Sequence, residues 1–215
     1  MGNRRNEECL ILVLIGIHWI NFYKKKMKIL LGSNSPRRKE LLHQLGFDFE
    51  TVKIDCEEVY PENIPSEAVA EYLAALKNSA YKDLKANEIL ITSDTVVIVD
   101  DEVLGKPKDE QEAFLMLKKL SGNTHFVDTA ICLRTQEQSI VQTDRAEVTV
   151  ASLSDEEIKH YIREGQPLDK AGSYGIQDWF GLAKITQIKG SYYTIMGLPT
   201  HLLYSHLSRL LEVNR

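Results

Sequence analysis

Four stretches of this chain set charged or hydroxyl side chains where folding alone does not ask for them. The first is Ser33-Asn34-Ser35-Pro36-Arg37-Arg38, at the junction of an apolar run and an amphipathic one. A helix N-terminus offers unpaired backbone N–H groups and the positive end of a dipole, so it favours anions and disfavours cations. Two arginines at such a point ask for an anion, and their planar forks suit phosphate. The Ser33 and Ser35 hydroxyls add donors. The second stretch is Ser93-Asp94-Thr95, between Ile89-Leu90-Ile91 and Val96-Val97-Ile98. A carboxylate in a buried strand must be paired or bind a cation. Beside a phosphate site it can act as metal ligand or general base, and Lys106, past the following turn, can face the same cavity. The third is "PLDKAGSYGIQ", residues 167–177. Gly172 and Gly175 let the backbone approach a ligand closely, and the Gln177 amide can read a base edge. Asp169 and Lys170 read either as site residues or as a plain ion pair in a loop. The fourth joins Glu57 and Glu58 with Lys77, surface charge unless the carboxylates converge on a metal near Asp94.

Composition narrows the chemistry. The 215 residues are 43% hydrophobic and 27% charged with net charge -5, an ordinary globular composition that does not indicate a broad nucleic-acid-binding surface. The three cysteines (Cys9, Cys56, Cys132) have no CxxC or zinc spacing and read as free thiols in a reducing cytosol. The six histidines lack HExxH spacing, and no GxSxG, Walker A or GxGxxG pattern is present. Any metal is therefore expected to be a hard, oxygen-bound ion, Mg²⁺ or Mn²⁺.

The elements that must position these residues follow from periodicity and punctuation. Residues 28–31 read as a buried strand and 36–45 as a helix, with Ser35 as N-cap, Pro36 in the first turn, Gly46 as stop and Leu41, Leu42 and Leu45 as its apolar stripe. A looped or extended stretch, 47–64, precedes a helix over 66–84 carrying Val69, Tyr72, Leu73, Leu76 and Ala80 on one face. A strand over 89–99, an Asp-Asp turn and a short return strand follow. Asp109 and Glu112 mark a helix over 110–120 ended near Gly122, and Ser154 and Glu157 a helix over 155–164. Between these two helices, strands near 125–134 and 138–151 form an antiparallel pair. A strand near 182–188 and a helix over 199–213 close the chain. The expected fold class is α/β with a mixed sheet.

Residues 1–26 stand apart. "CLILVLIGIHWINFY" falls short of the roughly 20 apolar residues of a spanning helix, and "NFYKKK" is a poor cleavage site. We read the segment first as a dispensable extension ahead of a true start at Met27, then as a weak membrane anchor, then as a cleaved signal. Residues 27–215 are expected to form one domain, with membrane association not anticipated.

The stretches "LLGSNSPRRKELLHQLG", "SDTVVIVDDEVLGKP", "LSGNTHFVDTAI", "PLDKAGSYGIQ" and "IKGSYYTIMGLP", in this order, resemble the Maf family of nucleoside triphosphate pyrophosphatases. One small departure is Gly32, where relatives often carry Ala. The resemblance implies an elongated fold like that of the inosine triphosphate pyrophosphatases, a mixed sheet with flanking helices and a cleft between two lobes. It implies cytoplasmic hydrolysis of a nucleoside triphosphate to monophosphate and pyrophosphate with a divalent cation, as house-cleaning of nucleotide pools, and is compatible with a homodimer. Asp94 matches the family's proton acceptor and, with Glu58, is expected to hold the metal. Arg37, Thr95 and Gln177 match positions tied to substrate choice, and Ser33, Arg38, Lys77, Lys106 and Lys170 match other substrate-binding positions. Thr95 after Asp94, in place of Gln, points to the branch acting on dTTP and UTP. The alternatives are a pyrophosphatase for 7-methyl-GTP or another modified nucleotide, and a non-catalytic nucleotide-binding inhibitor of septum formation.

Overall fold

The run Glu88–Val99 is the axis of the structure: all but one of its twelve residues are buried, as a strand covered on both faces requires. It is described in a computed structural model covering residues 27–211, so the expectations for residues 1–26 lie outside the described residues. In chain order the strands are β1 (Lys28–Leu31), β2 (Phe49–Thr51), β3 (Glu88–Val99), β4 (Glu102–Leu104), β5 (Thr124–Arg134), β6 (Ser139–Val150) and β7 (Ile185–Lys189). The α-helices are α1 (Pro36–Gln44), α2 (Val69–Ala80), α3 (Glu110–Leu120), α4 (Asp155–Gly165), α5 (Trp179–Lys184), α6 (Tyr192–Met196) and α7 (Thr200–Leu210). The strands form one mixed sheet ordered β2-β1-β3-β5-β6-β7, with β4 as an additional partner of β3. The β1 pairings are parallel and all others antiparallel. Among the described residues no helix is long and apolar enough to cross a membrane.

The way β3 shares its two edges creates the site. On one edge β5 pairs with it from Leu90 to Ile98. On the other, β1 pairs with residues 88–91 and β4 with residues 97–99, which leaves 92–96 without a strand partner. The pleat then sends successive side chains to opposite faces. Val96 and Ile98 pack under α2 with Val69, Ala70, Leu73 and Ala74. On the other face Ile89 and Ile91 join a cluster with Leu41, Leu42, Leu203 and Leu207. Val97 and Val99 join a second, with Leu117, Val148, Ile158 and Phe180. Between these two apolar masses lie the buried hydroxyls of Ser93 and Thr129. The expected division into two lobes is thus a sheet carrying two separate cores on one face.

Local signals hold where expected, with instructive exceptions. The capping box at Ser154 is complete, with Glu157 accepting from the Ser154 N–H at 2.8 Å. At α3, Asp109 caps the Glu112 N–H, but the Glu112 carboxylate reaches the N–H of Lys108 instead of completing the box. Helix α2 ends at Ala80, short of 84, because Arg134 Nη2 donates to the Asn78 carbonyl at 2.8 Å and Nε to Asn78 Oδ1 at 2.7 Å. Asn78 in turn donates to the carbonyls of Leu90 and Cys132, binding the helix end to the sheet. Tyr72 of α2 is exposed rather than part of its buried stripe. Residues 182–184, expected in a strand, close α5: Phe180 is fully buried against Tyr161 and Tyr174, and a Cβ on Gly181 would lie 1.8 Å from the Ile176 carbonyl oxygen. That close approach wraps the chain into a helical turn before β7 begins.

His125 supplies a pH test of the packing. It is 1% exposed, its Nε2 lies 2.8 Å from the Tyr174 hydroxyl, and its Nδ1 has no partner. Burial penalises the imidazolium and lowers the pKa from 6.5 to about 4. Because the unfolded chain takes up the proton first, His125 favours folding fully above pH 6.5 and loses that contribution as pH falls toward 4, by about 3 kcal/mol. Urea unfolding of wild type and His125→Gln from pH 7 to 4 should show the difference between them shrinking by that amount. A constant difference would contradict the assignment.

Candidate active site

The cleft at the open edge of β3 begins with the turn into α1. Ser35 caps the helix by accepting from the Arg38 N–H at 3.5 Å, and Ser33 Oγ accepts from the Ser35 N–H at 3.2 Å. The Arg38 side chain folds back under the helix start. Its Nε donates to the Gly197 carbonyl at 2.8 Å, Nη2 to Thr95 Oγ1 at 3.0 Å and Nη1 to Ser33 Oγ at 3.5 Å. All three acceptors are neutral. Burial pulls the guanidinium pKa below its ordinary value, and the Asp94 charge opposes that in part. A partly buried cation without an ion-pair partner among the described residues favours the arrival of an anion.

Arg37 points the other way, with Nη1 3.2 Å from Asp169 Oδ2. Asp169 Oδ1 also accepts from Lys170 Nζ at 2.8 Å, and Lys170 lies 3.7 Å from Asp178 Oδ2. Burial raises the Asp169 pKa, but Lys170 and Arg37 together outweigh it and hold the carboxyl below its ordinary value. The loop carrying these groups is fastened to the sheet at Gly172, whose N–H donates to the Gly105 carbonyl at 3.0 Å. Its φ of 64° and a would-be Cβ only 2.8 Å from Val97 are the reasons for glycine there.

The facing wall is acidic. Asp94 on β3 is 6% exposed, and Lys77 on α2 donates to its Oδ1 while standing 3.0 Å from Glu58 Oε2. The Lys77 ammonium, expected to face the phosphates, is here the shared counter-ion of two carboxylates. Each keeps its other oxygen free of any bond to the described residues. Glu58 and Asp94 are hard donors, and Mg²⁺ commonly takes one or two carboxylates together with substrate phosphates. No cluster of three or more metal-ligating side chains exists among the described residues. The donor types of the pair suit a divalent cation whose remaining ligands would come from phosphate and water.

Apart from Glu57 and Gly172, the site residues singled out from the sequence line one cavity of about 530 Å³, including the exposed Lys106 beyond β4 and the exposed Gln177. That volume is in the range of small-molecule sites. Two contacts were not anticipated. Asp169 was weighed only against its neighbour Lys170, yet it also holds Arg37. Gly197, inside "IMGLP", supplies the carbonyl for Arg38, and its φ of 106° suits only glycine. The signal for it was the glycine itself.

Fold and site together define an α/β protein with a cleft cationic on one wall and carboxylate on the other, suited to a polyphosphate with an associated metal. Residues 28–210 match the Maf-like protein family, and the chain belongs to it. A relative from Flavobacterium psychrophilum, named dTTP/UTP pyrophosphatase, is 49% identical over 84% of this chain and 93% of its own. One from Porphyromonas gingivalis with the same name is 48% identical over 88% of this chain and 98% of its own. The solved structure of the Staphylococcus aureus Ham1 protein superposes with a TM-score of 0.52 at 16% identity, over 85% of this chain and 99% of that one. This likeness bears on the fold alone.

Removing the shared counter-ion should expose the coupling of the acidic wall. Lys77→Met is expected to cost about 3 kcal/mol in urea unfolding, the scale for a buried charge left unpaired. Adding Asp94→Asn should return at least about 1 kcal/mol of that. Strictly additive losses would mean that the pair does not interact.

Proposed function

We propose that this protein hydrolyses dTTP and UTP to the monophosphate and pyrophosphate. The observation that carries the reading is Arg38, a partly buried guanidinium held only by neutral oxygens in the same cavity as Asp94, Lys77 and Glu58. Membership of the Maf-like family and the names of the relatives support the substrate class.

In this mechanism Arg38 and Lys106 bind the triphosphate, and Arg37 and Lys170 join them once the phosphates displace Asp169. A divalent cation, Mg²⁺ or Mn²⁺, held by Glu58 and Asp94 would neutralise phosphate charge. Asp94 orients a water molecule and takes its proton as the water oxygen attacks the α-phosphorus. The bond from that phosphorus to the bridging oxygen breaks, and pyrophosphate leaves with its new charge facing the arginines and lysines. Positioning and charge stabilisation supply most of the acceleration, as in phosphoryl transfer generally. The Gln177 amide can donate to the pyrimidine O4 and accept from N3–H at once, an edge that thymine and uracil share. The free thiols of Cys56 and Cys132 fit work on the nucleotide pool of a reducing cytoplasm. A non-catalytic nucleotide binder would have no use for the Asp94 carboxylate.

Asp94→Asn should lower kcat on dTTP by about 100-fold or more. Chelation of divalent metal should abolish pyrophosphate release, and Mg²⁺ or Mn²⁺ should restore it. On a panel of dTTP, UTP, CTP and 7-methyl-GTP, kcat/KM should be highest for the first two, and Gln177→Leu should narrow that preference about tenfold. Preference for 7-methyl-GTP, or normal turnover by Asp94→Asn, would overturn the reading.

A further inference from the structure

We infer that Thr129, a fully buried hydroxyl outside the substrate cavity, is a positioning residue that sets the Arg38 fork through its hydrogen bonds to Thr95 and to the Thr194 carbonyl. The inference rests on the reading of Arg38 as a phosphate ligand. Thr95, Thr129 and Asp144 are successive cross-strand partners on β3, β5 and β6, so the sheet register brings them into one row. Thr129 and Thr194 are both inaccessible to solvent.

Arginine only donates, so Thr95 Oγ1 accepts from Arg38 Nη2 at 3.0 Å. Thr129 Oγ1 is the donor to two oxygens, the Thr194 carbonyl at 2.7 Å and Thr95 Oγ1 at 3.0 Å. At the far end the Thr194 hydroxyl donates to Asp144 Oδ2, and His201 Nε2 stands 3.8 Å from Asp144 Oδ1.

Thr129 is the hub of the row because it serves both principal acceptors of Arg38. It holds Thr95 directly. It also holds the Thr194 carbonyl, which accepts the Gly197 N–H at 3.1 Å and so seats the turn whose carbonyl receives Arg38 Nε. A further consequence concerns Thr95, one of the residues matched to substrate choice. Its oxygen accepts from both Arg38 Nη2 and Thr129 Oγ1, so it ties the buried hydroxyl to the fork of Arg38.

The test compares Thr129→Val, which keeps the shape and removes the hydroxyl, with Thr129→Ser, which keeps the hydroxyl. Thr129→Val should raise KM for dTTP and weaken pyrophosphate binding in calorimetry by about tenfold, with kcat changed less, while Thr129→Ser stays within about threefold of wild type. In an Arg38→Lys background, which keeps the charge but not the fork, Thr129→Val should weaken pyrophosphate binding by less than about threefold. Equal binding by Thr129→Val and wild type, or the same tenfold loss in both backgrounds, would overturn the inference. The pyrophosphate measurement does not depend on turnover, so a wild-type protein that binds pyrophosphate but leaves dTTP intact would refute the proposed reaction separately.

Discussion

A guanidinium half withdrawn from water and hydrogen-bonded only to carbonyl and hydroxyl oxygens keeps its charge available to an anion, and the architecture around Arg38 is organised by that fact. Its three acceptors come from the loop before α1, from β3 and from the turn after α6, segments far apart in the chain. Hydrogen bonds from neutral oxygens orient the fork without cancelling its field. The cavity therefore retains a strong preference for an anion while the free protein avoids collapse of that charge onto a carboxylate. Arg37 is handled differently. It is paired with Asp169 in an exposed contact of the kind that contributes little to stability, so a phosphate can displace it at small cost.

The acidic wall follows the complementary rule. Asp94 cannot stand alone at 6% exposure, and Lys77 neutralises it while leaving one oxygen unengaged. The same ammonium reaches Glu58, so β3 and the loop that follows β2 are drawn to one point. Both walls depend on the interruption of strand pairing along residues 92–96 of β3. A continuous ladder there would have placed another strand where the substrate is read to lie, and the two cores on that face would have merged into one.

The comparison of expectation with structure divides along local and non-local lines. The strand at 28–31, the cap at Ser35, the Asp-Asp turn and the capping box at Ser154 were legible because each is decided by neighbouring residues: φ preferences, side-chain caps and two- or four-residue periodicities. The end of α2 was not legible because Arg134, from β5, terminates it. Nor was α5, since residues 182–184 look extended until the burial of Phe180 and the close approach of Gly181 to Ile176 are known. The same division holds for the site. The residue types of an anion and metal site were visible at Arg37, Arg38, Glu58 and Asp94, but not who pairs with whom.

What the sequence by itself determined is therefore the chemical inventory and the local punctuation: arginines at a helix start, a carboxylate in an apolar strand, glycines in two loops. These depend on interactions within a few residues. Only the tertiary structure decided that Lys77 serves two carboxylates, that Asp169 holds Arg37, and that Thr129 stands behind Thr95. Those are contacts across strand register and helix packing, set by how whole elements bury their apolar faces, and no spacing along the chain encodes them.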